Sequence, residues 1–303
     1  MRFAISIPQY VGDAGAFDSV GFRSHLRRAE ELGFESAWTQ EQVLGPAPAL
    51  SPLGALTYAA ACTERLRLGC AVFVTPLHSP VHLAYGITTL DCLSGGRAEV
   101  GIGIGGRQRP FAAFGIDADR LVGRFTEGLA LMKACWTEPE INFDGRLWQL
   151  AGAAMEPKPI QKPHPPVWIG GNQPAAVARA ARLGDGFFGA GSQPTAAFAE
   201  MTRIVYDELA RQHRDRATFR VAKRVYIHVD DDPARARDRI EGALARHYGQ
   251  PVPGVSISGP PTACVAGLHE VADAGADLIL LNPLVDDHEQ MERLAAEVIP
   301  GLV

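Results

Sequence analysis

Apolar residues along this chain recur in two rhythms that alternate from end to end. Short apolar runs occur at "RFAISIP" (2–8), "ESAWTQ" (35–40), "RLGCAVFVTP" (67–76), "RAEVGIGIG" (97–105), "PVWIGG" (166–171), "DGFFGAG" (185–191), "FRVAKRVYIHV" (219–229) and "ADLILLN" (276–282). Each reads as a buried strand. Segments of helical period separate them. In "GFRSHLRRAEELGF" the apolar positions Phe22, Leu26, Ala29 and Leu32 share one face, and Gly33 ends the helix. "SPLGALTYAAACT" offers Ser51 as N-cap and Pro52 at the first helical position. Further helices are predicted over 80–94, 120–136, 174–183, 195–213, 233–247, 261–275 and 286–299. "INFDGRLWQL" (141–150) reads as a hairpin turning at Asp144–Gly145.

Eight strands separated by helices predict a parallel sheet. Eight such units predict a (β/α)8 TIM barrel with loop insertions at its C-terminal face, and an open doubly wound sheet is the alternative. No linker interrupts the pattern, so residues 1–303 read as one domain. The irregular stretches 104–117, 151–165 and 248–259 are expected to carry active-site loops.

Composition narrows the function. A net charge of −5 gives no footing for nucleic acid. No apolar run approaches the roughly 18 residues of a spanning helix, so no membrane partner is expected. The opening "MRFAISIPQY" enters a strand instead of forming a signal peptide. Five scattered cysteines read as buried free thiols. Together these imply a cytoplasmic enzyme acting on a small molecule.

"EVGIGIGGRQ" (99–108) contains a literal G-x-G-x-x-G. A dinucleotide fingerprint also needs a helix starting inside the motif and an acid ending the next strand. Here Pro110 follows, and Glu127 falls in a helical pattern. The glycines therefore read either as close strand packing or as a strand end that a flat ring can approach. No metal-ligand spacing, nucleophile elbow or strand-end Schiff-base lysine stands out.

"CLSGGRAEVGIGIGG", "FGIDADR" and "PKPIQKPHPPVWIGGNQPAAVARAARLGDGFFG" resemble the luciferase-like flavin and deazaflavin oxidoreductases. "ERLRLGCAVFVTPLHSPVHLA" is closer to the branch using the deazaflavin coenzyme F-420 than to the FMN monooxygenases. The resemblance implies a TIM barrel in which reduced F-420 passes hydride to an activated C=C, C=N or C=O bond, with FMN as the alternative cofactor. A non-catalytic flavin-binding or partner subunit is a further alternative, and a homodimer is expected.

By the same resemblance the ring lies near Val72, Phe73 and Thr75, with a cis bond mapped to Val72–Phe73 against a plain strand. Gly103, Ile104 and Gly105 would flank the ring. "IGGNQP" is the phosphate candidate: Gly170 and Gly171 free the backbone, and Asn172 or Gln173 caps the next helix. Arg107, Arg109, Lys162 and His164 are candidate contacts for an acidic cofactor tail. Relatives carry Asp-His after the second strand, where this chain has Glu41 and Gln42, and some carry a glutamate where it has Gly106. That departure makes glucose-6-phosphate oxidation an unfavoured reading. The catalytic candidates are Glu41, Gln42 and His78, with Glu41 equally readable as a structural carboxylate and His78 as a loop histidine. Substrate-pocket candidates are Gln9, Trp38 and Phe111, together with Tyr10 and Phe114.

Overall fold

The computed structural model describes residues 1–10, 17–44, 49–106 and 111–302. Its strands are β1 (Arg2–Ser6), β2 (Ser36–Thr39), β3 (Arg67–Val74), β4 (Ala98–Gly103), β5 (Ile141–Asp144), β6 (Gln149–Ala153), β7 (Val167–Gly171), β8 (Gly186–Gly189), β9 (Arg220–Val229), β10 (Ser256–Gly259) and β11 (Leu278–Asn282). Strands β1, β2, β3, β4, β7, β8, β9 and β11 pair in parallel in that order. The ring closes where β11 meets β1, with Ile5 opposite Leu281. This is the predicted (β/α)8 barrel. Pairing of Gly189 with Lys223 across β8 and β9 rules out an open sheet.

The outer layer is α1 (Ser19–Glu31), α2 (Pro52–Cys62), α3 (Pro80–Leu93), α4 (Leu121–Thr137), α5 (Pro174–Leu183), α6 (Thr195–Arg211), α7 (Pro233–Tyr248), α8 (Pro261–Asp273) and α9 (Asp287–Arg293). Asp18 starts α1 by accepting from the Val20 and Gly21 N–H groups, and Phe22, His25, Leu26 and Ala29 form its buried stripe. No helix among the described residues is long and apolar enough to cross a membrane. All five cysteines are free thiols.

Two features differ from the sequence reading. The hairpin β5–β6 forms as expected, but the stretch 248–259 contains a further strand, β10. It pairs with β9 from Tyr226 to Val229, because β9 runs ten residues and outgrows its barrel neighbours. The stretch 151–165 does not flank the mouth. It leads into β7, so it lies at the opposite, N-terminal end of the barrel.

The lumen is plugged by Ala4, Trp38, Trp168, Phe188, Ala222, Leu278 and Leu280. Trp38 lies edge-on to Phe188 at 4.9 Å and to Trp168 at 6.0 Å between ring centroids. Burying each tryptophan contributes about 4–6 kcal/mol at most, from roughly 150–250 Å² of ring surface. The Trp168 indole N–H donates to Glu99 at 2.6 Å, and Glu99 pairs with Arg67. This plug fills the lower lumen, so the C-terminal mouth is the end to search for a site.

Candidate active site

The mouth is organised by one bulge. Between Cys70 and Phe73 the β3–β4 register slips, setting three steps on β3 against two on β4, from Val100 to Ile102. The bulge contains a cis peptide bond at Ala71–Val72. The mapping to Val72–Phe73 is therefore corrected by one residue. Val72 turns into the lumen, whereas Phe73, 1% exposed, packs outward among the helices.

The glycines of the G-x-G-x-x-G answer to this bulge. A Cβ on Gly101 would collide with the Cys70 carbonyl oxygen. One on Gly103 would come within 2.7 Å of the Val72 Cγ2, and one on Gly170 within 2.7 Å of its Cγ1. Gly103 and Gly170 thus make room for a side chain. Gly171 has a similar cause: its Cβ would sit 2.8 Å from the Ala176 Cβ, so it lets α5 pack close to β7. Neither Gly170 nor Gly171 has a positive φ, so they do not free the turn as the sequence reading had it. Gly105 does, at φ +80°. Ile104 points away from the mouth into a cluster with Val74, Phe111, Ile116 and Leu121.

Glu41 and His78 meet. His78 Nε2 lies 2.8 Å from Glu41 Oε1, and the Val74 N–H donates to Oε2 at 2.6 Å. Glu41 is 5% exposed, while His78 is half-buried. Because an ionised carboxylate only accepts, Nε2 is the protonated nitrogen. Gln42 is half-buried and makes no side-chain hydrogen bond among the described residues.

The three substrate-pocket candidates sit deeper than expected. The Gln9 amide is wholly engaged with backbone: Nε2 donates to the Gln40 and Leu50 carbonyls, and Oε1 accepts from the Gln40 N–H. Trp38 belongs to the plug, below the mouth. Phe111 is 2% exposed and packs with Val74, Ile116 and Leu121, with Phe114 against the same cluster. Tyr10 does reach the mouth, where its hydroxyl accepts from Gln40 Nε2 at 2.8 Å.

At the α5 end, Asn172 and Gln173 are exposed, and Gln173 occupies the N-cap without a side-chain cap bond. Pro174 has no N–H, and the Ala176 and Val177 N–H groups donate to the Gln173 carbonyl, so the Ala175 N–H is the first-turn donor left for an anion. Thr75, directly after β3, is 8% exposed, and its hydroxyl has no hydrogen-bond partner. Lys162 and His164 lie at the far end of the barrel, bonded to the Pro159 and Pro165 carbonyls, so they contribute nothing here. Arg107 and Arg109 lie outside the described residues.

Sequence reasoning missed the opposite wall. Arg224 on β9 crosses the lumen, and its Nη2 donates to the Ala71 carbonyl at 2.8 Å. Beside it His247, at the end of α7, packs on Tyr10 at 5.5 Å and Tyr248 at 4.9 Å between centroids. Burial, followed by the Arg224 charge, lowers the His247 pKa to about 4. Tyr226 hydrogen-bonds Tyr248 through the two hydroxyls at 2.7 Å. The signal was present: in "RVAKRVYIHV" Arg224 has the same parity as Ala222, which faces the lumen.

Known proteins are similar to this chain in sequence and in fold. Residues 1–255 fit the family model described as luciferase-like monooxygenase. The chain is 28% identical to an F-420-dependent glucose-6-phosphate dehydrogenase of Beutenbergia cavernae, over 97% of this chain and 96% of that one. It is 27% identical to an FMNH(2)-dependent dimethylsulfone monooxygenase of Pseudomonas putida, over 72% and 60%. A 161-residue stretch is 34% identical to an uncharacterized protein of Sinorhizobium fredii, and spans only 46% of its length. Among solved structures, the monooxygenase RslO1 from Streptomyces bottropensis superposes with a TM-score of 0.88 at 24% identity, covering 100% of both chains.

Proposed function

Since this chain belongs to the luciferase-like monooxygenase family, we propose that it is an oxidoreductase that binds reduced F-420 across the bulge and reduces a small organic substrate. The observation that carries this reading is the unpartnered, buried Thr75 hydroxyl beside the bulge. It offers a ring heteroatom a hydrogen bond that the protein alone does not use. Two strands along the barrel, the uncapped α5 N-terminus suits the phosphate of the same molecule.

The coenzyme supplies a hydride for an activated C=C, C=N or C=O bond; the chain supplies position and protons. Val72 forms the surface on which the ring rests. The Glu41 carboxylate fixes the His78 imidazole, leaving Nδ1 to exchange a proton with substrate or water. Gln42 contributes at most a neutral hydrogen bond. FMN is the second reading, favoured by the resemblance to the FMNH(2)-dependent relative.

Fluorescence titration of the protein with F-420 and, separately, with FMN tests the proposal. Tighter binding of F-420 by tenfold or more is expected. The reverse order selects the FMN reading, and binding of neither overturns both.

A further inference from the structure

Three inward side chains on neighbouring strands end in polar atoms that nothing in the protein satisfies. They are Arg224 Nη1 on β9, Asn282 Nδ2 on β11 and Ser6 Oγ on β1. All are more than nine-tenths buried, at 4%, 3% and 7% exposure. Pairing of Arg224 with Leu280, Asn282 with Tyr226 and Ile5 with Leu281 sets them side by side on the β9–β11–β1 wall. Alternation puts them on the lumen face with Ala222, Leu280 and Ala4. Ser6 and Asn282 stand one layer above the plug residues Ala4 and Leu280, and Arg224 is level with Leu280.

One unsatisfied buried polar atom is commonplace; three on one wall, one of them cationic, are not. Arg224 has no carboxylate partner among the described residues, and only one of its terminal nitrogens is engaged. A buried, uncompensated guanidinium is costly and is relieved by an anion in hydrogen-bonding reach. Asn282 and Ser6 add neutral donors, each unused within the protein, that can serve further lone pairs of the same group.

We propose that Arg224, Asn282 and Ser6 form a subsite that holds an anionic oxygen of the substrate, a carboxylate or enolate, at the inner mouth of the barrel. This deepens the proposed function and rests on it. It makes the substrate an unsaturated or carbonyl compound bearing an acidic group, clamped at one end by the β9–β11–β1 wall. The anionic edge of the reduced ring shares this chemistry and is the other source that the experiment must separate.

The test uses cofactor-free protein with acetate as the probe and acetamide as its neutral counterpart. His247, which lies among Tyr10, Tyr226, Tyr248 and Arg224, reports binding through its imidazole NMR signals. Acetate is expected to shift these signals saturably and raise the His247 pKa, whereas acetamide leaves them unchanged. Arg224→Gln and Arg224→Lys should weaken acetate at least tenfold and about threefold respectively, consistent with loss or displacement of a charged hydrogen bond. Ser6→Ala and Asn282→Leu remove atoms unused by the free protein, so they should fold normally and weaken acetate a few-fold. In a second arm, affinity for reduced F-420 should stay within twofold of wild type in Ser6→Ala and Asn282→Leu, whose unpartnered atoms make no bond to the bulge. Equal acetate binding by all variants, or none by wild type, overturns the subsite. So does a tenfold loss of coenzyme affinity in either Ser6→Ala or Asn282→Leu, which assigns the wall to the ring. Failure of wild type to bind either coenzyme would reject the proposed function while leaving the acetate arm readable.

Discussion

Glu41 and His78 reach each other from the ends of successive barrel strands, with Nε2 2.8 Å from Oε1, while the same carboxylate holds the Val74 N–H. The two act as one unit: the carboxylate ties the chain after β2 to the end of β3 and orients the imidazole. This carboxylate has a structural duty, and under the proposed function a chemical one as well.

The chemical duty is separable by a double-mutant cycle. Glu41→Gln keeps an oxygen for the Val74 N–H, and His78→Asn keeps a polar side chain. Each single variant is expected to lower turnover within the 10²–10⁴-fold range of general acid–base help. The double variant should cost little more than either alone, because the residues act through one proton path. Gln42→Ala should cost much less, near the roughly 0.5–1.5 kcal/mol of a neutral hydrogen bond. Steady-state kinetics across pH checks both, since the pair's variants should lose an ionisation that Gln42→Ala retains.

The packing of Val72 between two glycines gives a stability test with its own rescue. Gly103→Ala should cost about 1–3 kcal/mol by overpacking against the Val72 methyl. Adding Val72→Ala should return most of that loss. Urea denaturation measures both; an additive double variant would show that the clash lies elsewhere.

Thr75→Val should leave stability unchanged or raise it, because the hydroxyl it removes has no partner in the protein. Coenzyme affinity should nevertheless fall about two- to tenfold, the worth of one neutral hydrogen bond. Thermal denaturation and coenzyme titration of the same preparation separate the two effects.

Acid sensitivity is expected from buried histidines. Burial first, opposed by the Ser6 carbonyl and reinforced by His288, lowers the His25 pKa to about 4. His247 is also lowered to about 4. Both are neutral in the folded protein at pH 5, whereas the unfolded chain takes up protons below its pKa of roughly 6.5. Their stabilisation is thus complete above pH 6.5 and is lost as pH falls through 4. Asp287 works against this: burial and Asp286 raise its pKa to about 6, so acidification between pH 6 and 4 favours its folded form. His25→Gln preserves a donor for the Ser6 carbonyl without titrating. Its unfolding free energy should fall less steeply than wild type between pH 6.5 and 4, by roughly 1.4 kcal/mol per unit of pKa shift removed.

The barrel was legible because its signals are local. Apolar runs and helical stripes need no partner to be seen, and Phe22, Leu26 and Ala29 are buried as their spacing demands. Glu41 and His78 were found by their place after strands, but their contact spans 37 positions and no spacing rule encodes it. Close strand packing was one of the two readings for the glycines at 101 and 103, but what they pack against, the Cys70 carbonyl and the Val72 side chain, lies on another strand; Gly170, read as freeing a turn, makes room for the same side chain. Arg224 was overlooked because a cation in a strand reads as an edge or surface position until closure of the barrel turns it inward.

Gln9 has a consequence beyond its own burial. Its side chain grips Gln40 and Leu50 together, its carbonyl accepts from the Leu50 N–H, and Tyr10 bridges Ala49. The segment between Gln40 and Leu50 is thereby buttoned at its base to β1, independently of its length. Doubling such a segment adds only about 0.6 kcal/mol of closure entropy. The chain can consequently take a longer or shorter stretch between these two anchors and keep its barrel, one cuff tailored while the sleeve stays uncut.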